Sequence, residues 1–350
     1  MSQEPDFPIR IFTVESEPPN ELLDDEPVEQ DWLVEPPTVE SLDEAFQAFS
    51  SEDIQPSGLA SLSDLDRWRM AYLREHWLNL PEEVRIAIIS ATTDLGEANV
   101  ELHFGRLLKF ALEDASPTVR QFAVLGLTGY DDSDSAEVLL DHFQHDSSED
   151  VRAEAASALS LWAELYDPTS TADVMMFRRI WDTLIKFALS AAEPLHVRAR
   201  AMESASVFEV DQRVRGLINE FYVEDETGLR LSSIIAMGNS GDTYWLPILL
   251  SELDSPDNEL RRAAADSLGQ IGDPEVIPDL RKATKDTDIE ARHAAIWALG
   301  NISGPAAQRI LSELAANPLP DDVRVIQMAR SLDEDIDAVD DDAPDATPFF

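Results

Sequence analysis

The sequence predicts an all-α fold, an α/α superhelical solenoid of about seven to eight helix pairs with acidic, largely disordered termini. Three observations lead to this prediction. An aliphatic residue followed by arginine returns, mostly at intervals of 31 to 35 residues, along residues 61–332. Apolar residues within each interval recur at spacings of three and four, as on one face of a helix. The chain of 350 residues has a net charge of −44, and much of that charge lies at its two ends.

The first segment, residues 1–60, contains 16 acidic residues, one basic residue (Arg10) and eight prolines. Like charges repel one another, and each proline removes a backbone hydrogen-bond donor. We therefore expect most of this segment to remain unfolded. It does not have the basic start and apolar run of a secretory signal peptide.

One stretch of the acidic segment differs from the rest, because its apolar residues follow a helical pattern. Leu42, Phe46 and Phe49 recur at spacings of four and three, behind a capping box. This predicts a short amphipathic helix near residues 42–50. The helix either docks on the folded body as a cap or folds in the groove of a partner protein.

Residues 62–80 precede the first repeat and also have a helical pattern. Leu65, Trp68 and Tyr72 recur at spacings of three and four. We expect a capping helix here, which covers the exposed face of the first repeat.

The repeat unit is clearest from residue 259 onward. Leu260 and Leu268 belong to the apolar stripe of a first helix, and Gly269 and Gly272 are predicted to form the turn that ends it. The Asp-Pro pair at 273–274 then starts a second helix, since Asp is a good N-cap and proline suits the first helical position. Each unit is therefore an antiparallel helix pair, which buries its two stripes only by stacking on its neighbours.

This pattern resembles the HEAT-repeat family, in particular the short HEAT-like repeats of phycobilin lyase subunits. The resemblance covers roughly residues 80–332 and implies a solenoid of stacked helix pairs. It says little about function, because such solenoids serve many roles.

The resemblance also implies a structural role for the repeated arginines. An acidic residue usually precedes each one by five to seven positions, as Asp114 precedes Arg120 and Asp254 precedes Arg261. In HEAT proteins, residues at similar positions form a ladder of Asp–Arg contacts between adjacent units. The arginines expected in this ladder are Arg85, Arg120, Arg152, Arg198, Arg230, Arg261, Arg292 and Arg324.

One repeat is longer than the others. The interval between Arg152 and Arg198 is 46 residues, which places an insertion within residues 158–181. Insertions in solenoids emerge at an edge and often bind partners. Either the end of this insertion contacts a partner or it extends the core of a longer helix pair. The candidate contact residues are Met175, Met176, Phe177, Arg178 and Arg179.

A second departure from the repeat lies in a later unit. When units are aligned by their arginines, Tyr244 and Ile248 occupy the positions of Glu275 and Asp279 in the next unit. These positions should face outward on a second helix. Tyr244 and Ile248 are therefore candidates for an exposed apolar patch, with burial under the neighbouring unit as the alternative.

The last repeat is predicted to stop after one helix near residue 332. The remaining segment, 333–350, holds eight acidic residues and no basic one, which is typical of a solvated tail.

Motifs for catalysis or metal binding are not evident. There are no cysteines, and none of the six histidines lies in an HExxH pattern or is followed by glutamate. The absence of a His-Glu dipeptide matters because deoxyhypusine hydroxylase, a HEAT-like enzyme, binds iron through such pairs. His142 and His145 lie three residues apart, a spacing that suits a metal but is more typical of a solvated pair. We expect no catalytic residue, metal site or cofactor.

Charge narrows the class of partner. Residues 61–332 have a net charge of −21, which disfavours nucleic acids and anionic membranes as direct ligands. No uncharged run reaches the roughly 20 residues of a membrane span, so we expect a cytoplasmic protein. The oligomeric state stays open.

Three functional hypotheses follow. The first is a non-catalytic scaffold or adaptor whose groove and acidic arms bind a basic protein. The second, which rests on the resemblance alone, is a phycobilin lyase-like or bilin-handling subunit. The third is an acidic decoy that mimics a nucleic acid and occupies a basic surface on another protein.

Overall fold

Helices form all the regular structure in the residues that a computed structural model of the chain describes, namely 39–51, 54–130, 132–163, 170–208, 211–224 and 226–340. These residues belong to a single compact unit. Three short helices come first: α1 (Val39–Phe49), α2 (Pro56–Ala60) and α3 (Arg67–His76).

Seven helix pairs and a final single helix follow in the described part of the chain. The first helices of the pairs, together with the final helix, stack in chain order, each on the next. We call them the A layer. They are α4 (Glu82–Ala98), α6 (Pro117–Leu127), α8 (Glu149–Leu159), α10 (Leu195–Phe208), α12 (Thr227–Asn239), α14 (Asn258–Ile271), α16 (Ile289–Ile302) and α18 (Val323–Asp340).

The second helices form the B layer, and each packs against the A helix that follows it. They are α5 (Gly105–Ala111), α7 (Ser133–His145), α9 (Thr171–Ala188), α11 (Gln212–Tyr222), α13 (Leu246–Glu252), α15 (Ile277–Ala283) and α17 (Gly304–Ala316). Single 3-10 turns lie at Trp77–Asn79, Ser160–Ala163, Thr243–Trp245, Pro274–Val276 and Pro320–Asp322. The prediction of an all-α solenoid of about seven to eight helix pairs is confirmed.

Local chemistry sets the helix boundaries. The side chains of Ser116, Asp257 and Asp288 accept hydrogen bonds from backbone N–H groups in the first turns of α6, α14 and α16. Gly272 ends α14 in the left-handed conformation, with φ of 73°, as expected for a glycine after a helix. The 3-10 turn that begins at Pro274 then leads into α15.

Gly269 has a different role from the one predicted. It lies inside α14 rather than in the turn, and a Cβ atom at this position would approach Cα of Ala298 to 2.7 Å. Gly300 in α16 has the same role, since a Cβ atom there would lie 2.7 Å from the carbonyl oxygen of Ala329. These glycines allow adjacent A helices to pack closely, and periodicity alone does not distinguish that role from a turn.

The arginine ladder links adjacent units through buried ion pairs. Arg120 shows the pattern: its guanidinium binds the carboxylate of Asp146 in the next unit at 2.6 Å and donates to the carbonyl oxygen of Asp114 at 2.9 Å. Asp114, Asp146 and Asp286 each accept a hydrogen bond from the backbone N–H two positions later. The other ladder pairs of this kind are Arg85–Asp114 at 2.9 Å, Arg152–Glu193 at 3.2 Å, Arg261–Asp286 at 2.7 Å and Arg292–Asp322 at 3.0 Å.

The ladder is irregular in the middle of the chain. Arg198 reaches Glu220 only at 3.9 Å and donates to the carbonyl oxygen of Ala188 instead. Arg230 pairs with Glu252, from the end of α13, at an Nε–Oε1 distance of 3.1 Å. Arg324 belongs to the last repeat and has no ion pair among the described residues.

The assignment of Asp254 to the ladder is wrong. Asp254 precedes Arg261 by seven positions instead of six, so Ser255 takes the ladder position, and its carbonyl oxygen accepts from Arg261 at 2.9 Å. Without an acidic side chain at 255, the partner of Arg230 comes from Glu252. Asp225, which precedes Arg230 by five positions, lies outside the described residues.

The two ends of the solenoid differ from expectation in detail. The capping helix expected over 62–80 corresponds to α3 and the following 3-10 turn, but Trp68 is exposed, with the guanidinium of Arg67 4.3 Å from its ring centroid. At the other end, α18 continues to Asp340 instead of stopping near 332. The sequence explains the extension, because Ile336 continues the helical spacing of Leu332.

Candidate partner-binding surface

The end of the predicted insertion forms α9, which at 18 residues is longer than the other B helices. Met175 is 68 % exposed, and Arg178 and Arg179 are exposed as well. Met176 and Phe177 are half-buried, and the Phe177 ring lies 4.8 Å from that of Phe208 at a steep angle. Three of the five candidates are therefore exposed, as partner contact would require. The other two are half-buried, as expected if the insertion extends the core of a longer helix pair.

The apolar departure in the later unit also divides. Tyr244 is 57 % exposed, whereas Ile248 is half-buried and packs against the core. Asp242 fixes this turn, because its side chain accepts the backbone N–H of Tyr244 at 2.9 Å. The Tyr244 ring stands edge-on to the buried ring of Trp245. Tyr244 thus presents an aromatic face to solvent on a rigid support.

Two arginines of α11 contact the neighbouring elements, one on the α9 side and one at the turn before α13. The guanidinium of Arg213 lies 5.0 Å from the ring centroid of Trp181 in α9. That of Arg215 lies 5.2 Å from the ring centroid of Tyr244 and 2.6 Å from Asp242. Such cation–π contacts hold an arginine side chain across an aromatic ring. We call this the α9–α13 surface, defined by Met175, Arg178, Arg213, Arg215 and Tyr244.

Sequence reasoning did not identify Arg213 and Arg215 as part of this surface. The available signal is weak: both occur in a single B helix of a strongly acidic chain. Their aromatic neighbours come from other helices, 32 residues upstream and 29 residues downstream in the sequence. Only the stacking of repeats brings these groups together.

The candidates in the first helix lie in the core. Leu42, Phe46 and Phe49 of α1 are buried. The hydroxyl of Tyr72 in α3 donates to the carboxylate of Asp43 at 2.7 Å. Burial and this hydrogen bond to a carboxylate together raise the pKa of Tyr72 to about 12. Helix α1 is thus docked on the body, as the capping interpretation expected.

Acidic groups lie on helices that neighbour the α9–α13 surface. Glu203 in α10 is buried and pairs with Arg200 at 2.6 Å, and burial raises the pKa of its carboxyl. The exposed Arg179 forms an ion pair with Glu137 in α7. Most of the arginines near the surface therefore have acidic partners, which leaves Arg178 without an ion pair among the described side chains.

The described residues contain no group of three or more His, Cys, Asp or Glu side chains arranged to hold a metal ion. His142 and His145 each bind a carboxylate instead, His142 that of Asp146 at 3.1 Å and His145 that of Asp141 at 3.0 Å. No described helix has the length and apolar composition needed to cross a membrane.

Comparisons with solved structures find other helical repeat proteins. Human deoxyhypusine hydroxylase in complex with glycerol shares 17 % identity over 85 % of this chain and 96 % of its own, with a TM-score of 0.33. The complex of CpcE and CpcF of phycocyanin lyase from Nostoc sp. PCC7120 shares 18 % identity over 65 % of this chain and 94 % of its own, with a TM-score of 0.43. At these values neither similarity assigns an activity to the chain. No curated protein sequence matches it.

The family profile for HEAT repeats matches residues 73–176 and 246–330, which together are more than half of the chain. The first matched segment covers most of the first three helix pairs, and the second covers the last three units. In both segments the structure shows stacked helix pairs. The chain therefore belongs to the HEAT-repeat family.

Proposed function

We propose that the protein is a non-catalytic adaptor that binds a second protein through the α9–α13 surface. One observation carries the proposal: Met175 and Tyr244 are exposed on the same layer of helices, and arginines of α11 contact both α9 and Tyr244. Methionine, tyrosine and arginine are enriched at the centres of protein interfaces. An exposed Tyr held by Trp245 and Arg215 loses little side-chain entropy when it binds, which favours a role as an anchor.

Charge supports a basic partner. The repeat region has a net charge of −21, and the first 60 residues add −15. A field of this sign accelerates the approach of a positively charged protein and repels acidic ones. Affinity in this proposal comes from the apolar centre of the α9–α13 surface, and charge contributes mainly to association rate and selectivity.

Helix α1 has a different role in the proposal. Leu42, Phe46 and Phe49 are buried, so in the docked state they offer no surface to a partner. We propose that α1 caps the N-terminal end of the solenoid, where terminal repeats need a cover. Contact with a partner through these three side chains would require α1 to leave the body.

The proposal is tested by affinity capture and quantitative mass spectrometry with the full chain. Met175→Ser combined with Tyr244→Ser should lose proteins that the unchanged chain retains. The matched control is Leu78→Ser combined with Val100→Ser, which removes two apolar side chains of similar exposure elsewhere. The control should retain the same proteins, and equal loss from both variants would contradict the assignment of the surface.

Two further arms separate the other hypotheses. Capture at about 50 mM and 500 mM salt tests the contribution of charge. Association of the partner should be faster at low salt, with a smaller change in dissociation, because salt screens the electrostatic attraction that steers the partner toward the protein. Removal of residues 1–36 should leave capture largely intact, whereas a decoy that works through its acidic end would lose it. A visible absorption band from a bound bilin would contradict a non-catalytic adaptor and favour the lyase-like hypothesis.

A further inference from the structure

A second feature lies at the irregular part of the arginine ladder, between α12 and α14. A cavity of about 420 Å³ opens there beside Arg230. Its lining includes five acidic side chains and one basic one: Glu224, Glu226, Glu252, Asp254, Asp257 and Arg230. Nothing in the α9–α13 surface overlaps with this set of residues.

The irregular ladder explains why acidic groups are available here. Glu224 precedes Arg230 by six positions, where the regular ladder places an acid that binds the arginine of the preceding unit. That arginine, Arg198, donates to the carbonyl oxygen of Ala188 and reaches Glu220 instead. Asp254 is likewise out of step with the ladder, and neither Glu224 nor Asp254 has an ion pair among the described side chains.

Glu252 gives an independent indication of a ligand. It is only 2 % exposed and lines the cavity. Its Oε1 atom accepts from the Tyr222 hydroxyl at 2.5 Å and from Arg230 Nε at 3.1 Å, whereas its buried Oε2 atom accepts no hydrogen bond. A buried carboxylate oxygen without a donor is costly, so a donor that reaches Oε2 from the cavity gains a strong acceptor.

The charges and geometry define the class of ligand. Five carboxylates against one guanidinium select a cation, and the described side chains include no three-residue arrangement suited to a metal ion. A cation with N–H donors on a flexible stem fits better, because it can place one donor at Oε2 and others at the rim carboxylates. We propose that this cavity binds a lysine or arginine side chain of the basic protein partner. This inference rests on the proposed function and adds a second, charge-reading contact to it.

A short peptide tests the inference directly. The probe is a fluorescently labelled Gly-Ser peptide with two arginines, and its twin carries neutral citrulline, which has nearly the same shape. Anisotropy at about 50 mM salt should show binding of the arginine peptide to the full chain and at least tenfold weaker binding of the citrulline twin. Equal binding of the two peptides would overturn the inference.

Variants then locate the site. The cavity variant combines Glu224→Gln, Glu226→Gln and Asp254→Asn, all at exposed positions that should not disturb folding. It should weaken binding of the arginine peptide about tenfold, since each rim charge contributes a modest amount. The control combines Asp94→Asn, Glu97→Gln and Glu101→Gln, which remove the same number of exposed charges far along the chain. Weakening by both variants to the same extent would show that the peptide senses only the overall charge, and would overturn the inference.

Two more variants separate this site from the α9–α13 surface. Glu252→Gln keeps the shape of the side chain but removes its charge, and it should also weaken the arginine peptide, with thermal melting as the check on folding. Met175→Ser combined with Tyr244→Ser should leave peptide binding unchanged while it abolishes capture of the protein partner. If the peptide binds as expected and no partner depends on Met175 or Tyr244, the cavity assignment stands and the proposed function fails.

Discussion

Asp114 gives the sharpest prediction about stability, because its side chain is fully buried at the first step of the ladder. Its carboxylate accepts hydrogen bonds from the Trp77 indole at 2.7 Å, from Arg85 at 2.9 and 3.1 Å, and from the Ser116 backbone at 2.8 Å. Asp114→Ala leaves the buried Arg85 without its counter-charge and the indole without an acceptor. We expect a loss of about 3–5 kcal/mol in the free energy of unfolding.

The matched control is Glu313→Ala. Glu313 also pairs with an arginine of a neighbouring unit, Arg281, at 2.5 Å, but both side chains are half-exposed. Removal of this pair should cost less than about 1 kcal/mol. Urea unfolding followed by circular dichroism measures both variants against the unchanged chain. A cost for Asp114→Ala within about 1 kcal/mol of that for Glu313→Ala would refute the reasoning that burial makes the ladder pair strong.

Two further predictions concern packing and pH. Gly269→Ala should destabilise the chain by about 1–3 kcal/mol, because the added methyl group would overpack against Ala298. Gly216→Ala, in a B helix where the added methyl group would have nothing within 4 Å, should stabilise the chain by about 0.5–1 kcal/mol. Thermal melts that rank the two variants in the opposite order would contradict the close approach of α14 and α16. Burial raises the pKa of Glu203, so its contribution to stability is full below the pKa of the unfolded chain and is lost as pH rises through the folded pKa. Compared with Glu203→Gln, the unchanged chain should therefore lose stability from about pH 4 toward neutral pH, and parallel urea midpoints of the two proteins across that range would contradict this assignment.

The repeat could be predicted from sequence because each unit repeats the same local signals. An aliphatic–arginine pair recurs, and a capping Asp or Ser, or a Pro, lies at many of the helix starts, so the helix pairs follow from local chemistry. The ladder could be predicted for Arg85, Arg120 and Arg261 for the same reason. It could not be predicted around Asp254, because a shift of one residue changes which carbonyl and which acid face the arginine.

The candidate surface was only partly predictable. Departures from the repeat indicated Met175 and Tyr244, both of which are exposed. Periodicity shows which side of a helix a residue occupies, but not how deeply a neighbouring helix covers it. The sequence therefore could not separate the half-buried Met176 and Ile248 from the exposed Met175 and Tyr244. The contacts of Arg213 and Arg215 depend on how three B helices are placed side by side, which no single repeat encodes.

The central claim is that a protein partner binds to the B layer at α9, α11 and α13. Amide hydrogen exchange on the captured complex, compared with the free chain, tests it most directly, because bound surfaces exchange more slowly. The account predicts added protection in these three helices, around Met175 and Tyr244, with little change on the exposed sides of α5 and α17. Protection confined to other regions, or absent from all three helices, would contradict the claim.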